Sequence, residues 1–212
     1  TVKMPDELNF IEAASVPHVG ETAWQAIHDH GQLKSGQKVL IHGAAGAVGA
    51  FAVQFAKEIG AVVYASASGK DHDFLESIGA DIIMDYKTTD FTTVAKDIDL
   101  VLVFTKGDTQ ERSYQVLREG GRLVSTTGPI LEDMAKKHNV TDISMVIRQN
   151  AEDLQKITDL IKEGKVKTDI AQVYPMKDVA IAWKVLSGDP SVPHISHGKI
   201  VLDVFNGSSH SK

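Results

Sequence analysis

The 212-residue sequence contains no cysteine. This absence excludes a disulfide, a thiol nucleophile and a metal site built on thiolates, and it agrees with a reducing compartment. The chain also lacks an apolar stretch long enough to span a membrane, and it carries no visible secretory signal. We therefore expect a cytoplasmic protein that has no membrane partner.

Strong positive charge is missing as well. The net charge is −6 and there is no long basic run, so nucleic acid is not an expected partner. The nine histidines are scattered without ligand spacing, and a zinc site requires several clustered ligands. The sequence therefore predicts no metal site. We interpret His18 as a packing or cleft residue and His42 as a core histidine whose hydrogen bonds are satisfied.

A glycine-rich stretch between two apolar runs is the most informative part of the chain. Residues 38–42 (KVLIH) form an apolar run of strand length, and residues 43–49 (GAAGAVG) follow directly. Apolar residues then recur at helical spacing up to Gly60, and residues 61–65 (AVVYA) form a second buried strand. This order of strand, turn, helix and strand is the context in which such glycines bind a dinucleotide.

The three glycines of this turn have distinct physical roles. A pyrophosphate must approach the backbone closely, so a Cβ at Gly43 or Gly46 would stand in its way. The helix after the turn offers free N–H groups and the positive end of its dipole. Gly49 lets that helix pack tightly on the strand. We predict a dinucleotide site here, and the alternative is a turn with a purely structural role.

The remaining chain continues to alternate strands and helices. The sequence predicts further strands at residues 82–84, 98–104, 122–127 and 140–148. It predicts helices at residues 21–30, 70–78, 109–119, 131–138 and, with Asn150 as its cap, 151–161. This alternation indicates an α/β fold, a Rossmann-type doubly wound parallel sheet of six strands in the order 3-2-1-4-5-6.

The last part of the chain breaks this pattern. Residues 170–174 and 199–204 are predicted strands, and residues 176–187 form a predicted amphipathic helix between them. We therefore divide the chain into an N-terminal linker (1–19), a dinucleotide-binding domain (20–168), a return segment (169–204) and a disordered tail (205–212).

An acid is missing where the second strand ends. An NAD site usually carries a carboxylate there for the ribose hydroxyls, whereas residues 65–70 of this chain are ASASGK. Ser66 and Ser68 can hydrogen-bond a 2′-phosphate, and Lys70 can pair with it. The sequence therefore predicts NADPH rather than NADH, the alternative being that Lys70 and Lys87 are ordinary solvated surface charges.

Several stretches together resemble the medium-chain dehydrogenase/reductase superfamily, in particular its zinc-independent quinone oxidoreductase and enoyl reductase branch. They are residues 13–24 (AASVPHVGETAW), 35–49 (SGQKVLIHGAAGAVG), 78–86 (IGADIIMDY), 108–128 (DTQERSYQVLREGGRLVSTTG) and 197–202 (HGKIVL). Members of this superfamily carry an N-terminal catalytic domain. The resemblance therefore implies that the chain starts at the hinge between the two domains and that its return segment leads back to a catalytic domain that is missing.

The resemblance also implies an oxidoreductase that transfers a hydride from NADPH to a quinone or an activated carbon–carbon double bond. It implies a small-molecule electron acceptor as partner and a homodimer formed through the sixth strand, residues 142–148. No catalytic side chain is assigned. The expected cofactor-binding residues are Thr22, Gly43, Gly46, Ala47, Val48, Gly49, Ser66, Ser68, Lys70, Tyr86, Phe104 and Thr127.

One turn departs from the family pattern. After the fourth strand the family usually carries an Asp-x-x-Gly-Gly turn near the nicotinamide, whereas residues 103–107 of this chain are VFTKG. The acid is absent and Lys106 adds a cation. This departure favours an alternative function, a non-catalytic module for NADPH binding or dimerisation. A methyltransferase is disfavoured because its glycine loop usually precedes an acid at the end of the second strand.

Overall fold

The computed structural model describes residues 2–205. The disordered tail predicted for residues 205–212 lies outside the described residues except for Phe205. None of the helices within residues 2–205 is both long enough and apolar enough to cross a membrane.

The main element is a six-stranded parallel sheet in the order β3-β2-β1-β4-β5-β6, so the predicted strand order is confirmed. Each neighbouring pair of strands is parallel. The strands are β1 (Lys38–His42), β2 (Val62–Ala67), β3 (Ile82–Asp85), β4 (Ile98–Val103), β5 (Leu117–Ser125) and β6 (Thr141–Ser144).

Helices connect these strands and cover the sheet. They are α1 (Phe10–Ser15), α2 (Pro17–Gln25), α3 (Ala47–Ile59), α4 (His72–Ser77), α5 (Phe91–Val94), α6 (Thr109–Ser113), α7 (Glu132–His138) and α8 (Ala151–Lys162). Two predicted caps are confirmed. Gly60 ends α3 in the left-handed conformation, and the side chain of Asn150 accepts a hydrogen bond from the N–H of Glu152 at the start of α8.

The central strands are buried on both faces, as their continuous apolar sequence predicts. Val39 and Ile41 of β1 belong to one core, which also contains Leu102 of β4. Leu40 and Val103 point to the opposite face and belong to a second core. Because side chains alternate along a strand, residues 39–41 of β1 and 100–103 of β4 supply apolar side chains to the two cores alternately.

The first long helix begins earlier than predicted. The sequence predicts a helix over residues 21–30, whereas α2 begins at Pro17 and passes into a π-helical turn at Ala26–His30. Pro17 is the first helical residue, where the fixed backbone angle of proline suits a helix and its missing N–H costs nothing.

The predicted helix over residues 109–119 is wrong in its second half. Helix α6 ends at Ser113, and β5 already begins at Leu117, which pairs with Ile98 of β4. The register shifts between this pair and the next, in which Arg122 pairs with Leu100. Gly120 and Gly121 therefore lie in a bulge of the strand. Pairing with β4 therefore overrides the helical tendency of this segment.

The sixth strand is shorter than the predicted 140–148. Strand β6 ends at Ser144, and the following N–H of Met145 makes one more hydrogen bond, 2.9 Å long, to the carbonyl of Ser125. Strand β5 ends at Ser125, so the residues after Met145 have no neighbouring strand with which to pair. Val146 is accordingly 87% exposed.

The return segment forms a second sheet of two strands. Strands β7 (Ile170–Pro175) and β8 (Lys199–Asp203) pair in parallel, and helix α9 (Val179–Ser187) connects them. The predicted helix start at Met176 is a short 3₁₀ turn, Met176–Asp178, that precedes α9. Trp183 and Leu186 are each 69% exposed, so part of the apolar face of α9 is not covered by the described residues.

Candidate functional site

A groove of about 440 Å³ lies where the central strands end. Strands β1 and β4 are parallel neighbours, but the chain continues from β1 to β2 on one side and from β4 to β5 on the other, and a fold of this type binds ligands at such a switch point. The residues that line the groove come from the turns after β1, β2, β3 and β4 and from the loop before β8. They are His42, Gly43, Ala45, Gly46, Ser66, Ala67, Ser68, Lys70, Asp71, Tyr86, Lys87, Thr105, Lys106, Thr109, His194 and Ser196.

The turn after β1 depends on its glycines. Gly43 has φ +76°, and a Cβ at this position would lie 2.9 Å from the Cγ2 atom of Thr105. A Cβ at Gly49 would lie 2.2 Å from the carbonyl oxygen of Gly43. A larger residue at Gly49 would therefore push α3 away from the turn, in agreement with the close packing that the sequence predicts for the third glycine.

The same turn is hydrogen-bonded to β2. The N–H groups of Gly43 and Ala44 both donate to the carbonyl of Ser66, over 3.1 and 3.2 Å, and the N–H of Gly46 donates to the carbonyl of Gly43 over 3.0 Å. These bonds fix the position of the turn relative to the end of β2. The glycine turn and residues 66–70 consequently form one continuous wall of the groove.

Helix α3 begins at Ala47, and its capping residue Gly46 makes no side-chain hydrogen bond to the helix. The first N–H groups of a helix have no partner within it and carry partial positive charge. Gly46 is exposed and lines the groove, and as a glycine it places no side chain of its own between the helix start and the groove. This arrangement fits the diphosphate of a dinucleotide.

A second group of polar residues follows β2 and β3. Ser66 is buried, Ser68 is half-buried and Lys70 is exposed. The Nζ atom of Lys70 lies 3.4 Å from the Nδ1 atom of His194, which comes from the loop before β8. Tyr86 is 63% exposed beside this group. The groove thus brings hydroxyl and cationic side chains together at one end.

Asp71 adds one carboxylate to the groove. The residue is 3% exposed, and its Oδ1 atom has no hydrogen-bond partner within the described chain. It precedes α4 as the capping residue but makes no side-chain capping bond. An unpaired oxygen of this kind requires an explanation, and a hydroxyl donor in the groove could satisfy this carboxylate.

His42, at the end of β1, does not add charge to the groove. Its Nε2 atom lies 3.1 Å from the hydroxyl of Ser113, and that hydroxyl donates to the carbonyl of Thr109 over 2.6 Å. His42 therefore donates its Nε2 proton to Ser113. Burial, together with the positive charge of Arg112, lowers the pKa of His42 to about 3. The prediction of a satisfied core histidine is confirmed.

The turn after β4 forms the other wall of the groove. The hydroxyl of Thr127 donates to the carbonyl of Thr105 over 2.8 Å, and the N–H of Phe104 donates to the carbonyl of His42 over 3.3 Å. Thr105 and Lys106 line the groove. The departure from the family pattern at residues 103–107 therefore lies directly at the candidate site.

The comparison with known proteins agrees with this geometry. A family model described as "Zinc-binding dehydrogenase" matches residues 78–202. The chain belongs to the zinc-binding dehydrogenase family. This membership confirms the resemblance to the medium-chain dehydrogenase/reductases that the sequence predicts.

Individual known proteins are similar over nearly the whole chain. A chloroplast envelope quinone oxidoreductase homolog of Arabidopsis thaliana is 33% identical over 218 residues, which cover 96% of this chain and 65% of that protein. The quinone oxidoreductase of Coxiella burnetii superposes with a TM-score of 0.86 at 31% identity, covering 96% of this chain and 63% of that one. The CurK enoyl reductase superposes with a TM-score of 0.83 at 28% identity, covering 95% and 65%.

The chain spans about 65% of the length of such relatives. Despite the family's description, it contains no cysteine. Within residues 2–205, the only group of three side chains able to share a metal ion is His72, Asp73 and Glu76, and all three are exposed. We assign no metal to this group.

The groove contains only part of the predicted cofactor site. Gly43, Gly46, Ser66, Ser68, Lys70 and Tyr86 line it. Ala47 lines an adjacent apolar groove of about 510 Å³ that also contains Trp183 of α9. The predicted residues outside both linings are Thr22, Val48, Gly49, Phe104 and Thr127.

The structure gives several of these outlying residues another contact. The hydroxyl of Thr22 is buried and donates to the carbonyl of His18 over 2.7 Å. Phe104 packs beside Gly43, and Thr127 supports the turn after β4. Their contribution to a cofactor site stays a prediction.

Ten residues that line the groove are not among the predicted cofactor-binding residues: His42, Ala45, Ala67, Asp71, Lys87, Thr105, Lys106, Thr109, His194 and Ser196. Asp71 directly follows the predicted residue Lys70, so the sequence contains a local signal for it. His194 and Ser196 come from the return segment, more than 100 positions after Lys70 in the sequence. Only the fold brings them to the groove.

Proposed function

We propose that the groove binds NADPH for hydride transfer to a quinone or an activated carbon–carbon double bond. The observation that carries this proposal is the position of the glycine turn directly beside Ser66, Ser68 and Lys70. The diphosphate lies against the start of α3 at Gly46, and the adenosine end extends toward β2. The fold type and the bare helix start support this orientation.

The preference for NADPH over NADH rests on the charges in the groove. Lys70 and Lys87 both line the groove, together with Ser66 and Ser68, and the two lysines can pair with the 2′-phosphate. Asp71 is the one carboxylate among the lining residues, and it disfavours a phosphate. The cations outnumber this carboxylate, and Asp71 can accept a hydrogen bond from a ribose hydroxyl.

The bound nicotinamide supplies the hydride, and the protein supplies binding and orientation. The glycine turn and the residues after β2 hold the two phosphate-bearing parts of the cofactor. The turn after β4 flanks the opposite side of the glycine turn, because β4 neighbours β1. The names of the quinone oxidoreductase and enoyl reductase relatives support a small-molecule electron acceptor of either type.

A second candidate function is a non-catalytic module for NADPH binding or dimerisation. The specific observation in its favour is Lys106, which lines the groove where relatives usually have a glycine turn. In this alternative the groove binds the cofactor but no acceptor reaches it.

The proposal also assigns a role to each segment of the chain. Residues 20–168 act as the cofactor domain, residues 1–19 as a linker and residues 169–204 as a return segment that contacts a catalytic domain. The exposed Trp183 and Leu186 of α9 suit such a contact. Strand β6 lies at the edge of the sheet, and pairing with a second copy through residues 142–148 would complete it.

Steady-state oxidation of NADPH separates the two candidates. We expect slow oxidation by a small quinone or an α,β-unsaturated ketone with the 212-residue chain, because the proposal assigns the lining of the groove to the cofactor and none of it to the acceptor. Loss of acceptor positioning costs several kcal/mol in the barrier. Fusion to the remaining portion of a relative should raise the rate. NADPH binding with no turnover in either form would favour the non-catalytic module.

A further inference from the structure

Lys106 is a cation of the groove without an assigned role. It is exposed, and it lines the groove together with Gly43 and Gly46. It makes no ion pair within residues 2–205, whereas the nearby Asp108 pairs with Arg112 over 3.9 Å. The charge of Lys106 is therefore available to a ligand.

The backbone next to Lys106 is held in place from two sides. The hydroxyl of Thr127 donates to the carbonyl of Thr105. The Cγ2 atom of Thr105 lies where it would be 2.9 Å from a Cβ on Gly43, so this methyl group packs against the glycine turn. Lys106 therefore extends from a turn whose distance to the glycine turn is fixed by packing.

The strand order separates Lys106 from the groups that follow β2. Strands β2 and β4 flank β1 on opposite sides. The residues after β2, among them Ser68 and Lys70, lie on one side of the glycine turn, and Lys106 lies on the other. A cation on that side is near the diphosphate at the turn and away from a 2′-phosphate bound by Lys70.

We propose that Lys106 is a cofactor-binding residue that pairs with the diphosphate of the bound dinucleotide. The inference rests on the proposed function and adds a residue to its site. Because the diphosphate is common to NADPH and NADH, Lys106 contributes equally to both. Lys70, by contrast, contributes only to NADPH, so substitutions at the two lysines produce different patterns of affinity.

The test is an equilibrium titration of the 212-residue chain and of Lys106→Met with three ligands. NADPH and NADH both carry the diphosphate, whereas 2′-AMP carries the 2′-phosphate but lacks the diphosphate. We expect Lys106→Met to weaken the binding of NADPH and of NADH by the same factor, about tenfold, because one charge-assisted contact is lost. The affinity for 2′-AMP, measured by displacement of NADPH, should stay unchanged.

Two further variants make the test specific. Lys106→Arg keeps the charge and should retain most of the affinity, and Lys106→Gln should behave as Lys106→Met. Lys137→Met removes an exposed lysine of α7 outside the groove and should change nothing. Because Lys106 is exposed and unpaired in the described chain, thermal unfolding should be the same for all variants.

Each other outcome overturns the inference in a recognisable way. Unchanged affinities in Lys106→Met would show that Lys106 does not contact the ligand. A loss of affinity for NADPH alone would mean that Lys106 contacts the 2′-phosphate instead of the diphosphate. If the unsubstituted chain binds neither NADPH nor NADH, the proposed function fails, and the inference fails with it.

Discussion

The Nζ atom of Lys70 lies 3.4 Å from the Nδ1 atom of His194. Lys70 follows β2, and His194 belongs to the loop before β8, so this contact connects the return segment to the candidate cofactor groove. A lysine ammonium can only donate, so Nδ1 of His194 is the acceptor nitrogen. The return segment is thus part of the groove that the proposal assigns to NADPH.

Lys70→Glu tests the part of the groove that follows β2. The substitution replaces a cation with an anion beside the proposed 2′-phosphate, so we expect NADPH to bind at least tenfold more weakly, roughly 1.4 kcal/mol. NADH should bind as before because it has no phosphate there. Lys137→Glu on α7 makes the same charge change outside the groove and serves as the control. An equal loss of both cofactors would argue against a 2′-phosphate at Lys70.

His42 should make the protein less stable in acid. Its pKa is lowered to about 3 in the folded protein from 6.5, so the unfolded chain takes up a proton first as the pH falls. The contribution of His42 to the free energy of unfolding is therefore fully present above pH 6.5 and is lost as the pH falls from 6.5 to 3. At pH 5 the loss is about 2 kcal/mol. Urea unfolding of the protein and of His42→Asn across this range measures the difference.

The comparison with His42→Asn isolates this effect from that of other titrating groups. The variant keeps a side-chain N–H donor for Ser113 but does not titrate. Its free energy of unfolding should depend less on pH between 6.5 and 3 than that of the parent. Equal pH dependence of the two proteins would mean that the fold does not lower the pKa of His42.

Val146 tests the proposed dimer. It is 87% exposed and lies two residues after Ser144, the end of the edge strand β6. If two copies pair along this edge, Val146→Lys places like charges at the interface and should convert a dimer into a monomer in sedimentation equilibrium. Val94→Lys, on a helix away from this edge and 41% exposed, is the matched control.

Substitution at Met145 would be a poorer test of the same interface. Its N–H donates to the carbonyl of Ser125 and its side chain is buried, so a proline there would damage the sheet itself. A dimer that persists in Val146→Lys at the concentration where the parent dimerises would refute pairing through residues 142–148.

Local patterns of the sequence were sufficient for the strand order and the glycine turn. The apolar run of β1, the glycines and the helical period of α3 each have a direct physical cause within a few residues. The helix predicted over residues 109–119 is wrong at Leu117 because a distant residue determines the structure there. Leu117 becomes part of a strand because Ile98 is available for pairing, and this partner is not visible in the local sequence.

The candidate site could be predicted only in part for the same reason. Gly43, Gly46 and Lys70 belong to short motifs, and they line the groove. His194 lies in a loop distant in sequence, and the residues around it form no motif that indicates a cofactor site. Asp71 was outside the predicted site because the acid of such sites usually lies at the end of β2, whereas Asp71 lies in the turn that follows.

The most direct test of the central claim is an equilibrium titration of the 212-residue chain with NADPH, NADH and S-adenosylmethionine under the same conditions. We expect NADPH to bind in the micromolar range, roughly −8 kcal/mol, and more tightly than NADH. S-adenosylmethionine should not bind, because it lacks the diphosphate for which the glycine turn is suited. Equal affinities for NADPH and NADH would contradict the role of Ser66, Ser68 and Lys70, and the absence of binding by either would contradict the account as a whole.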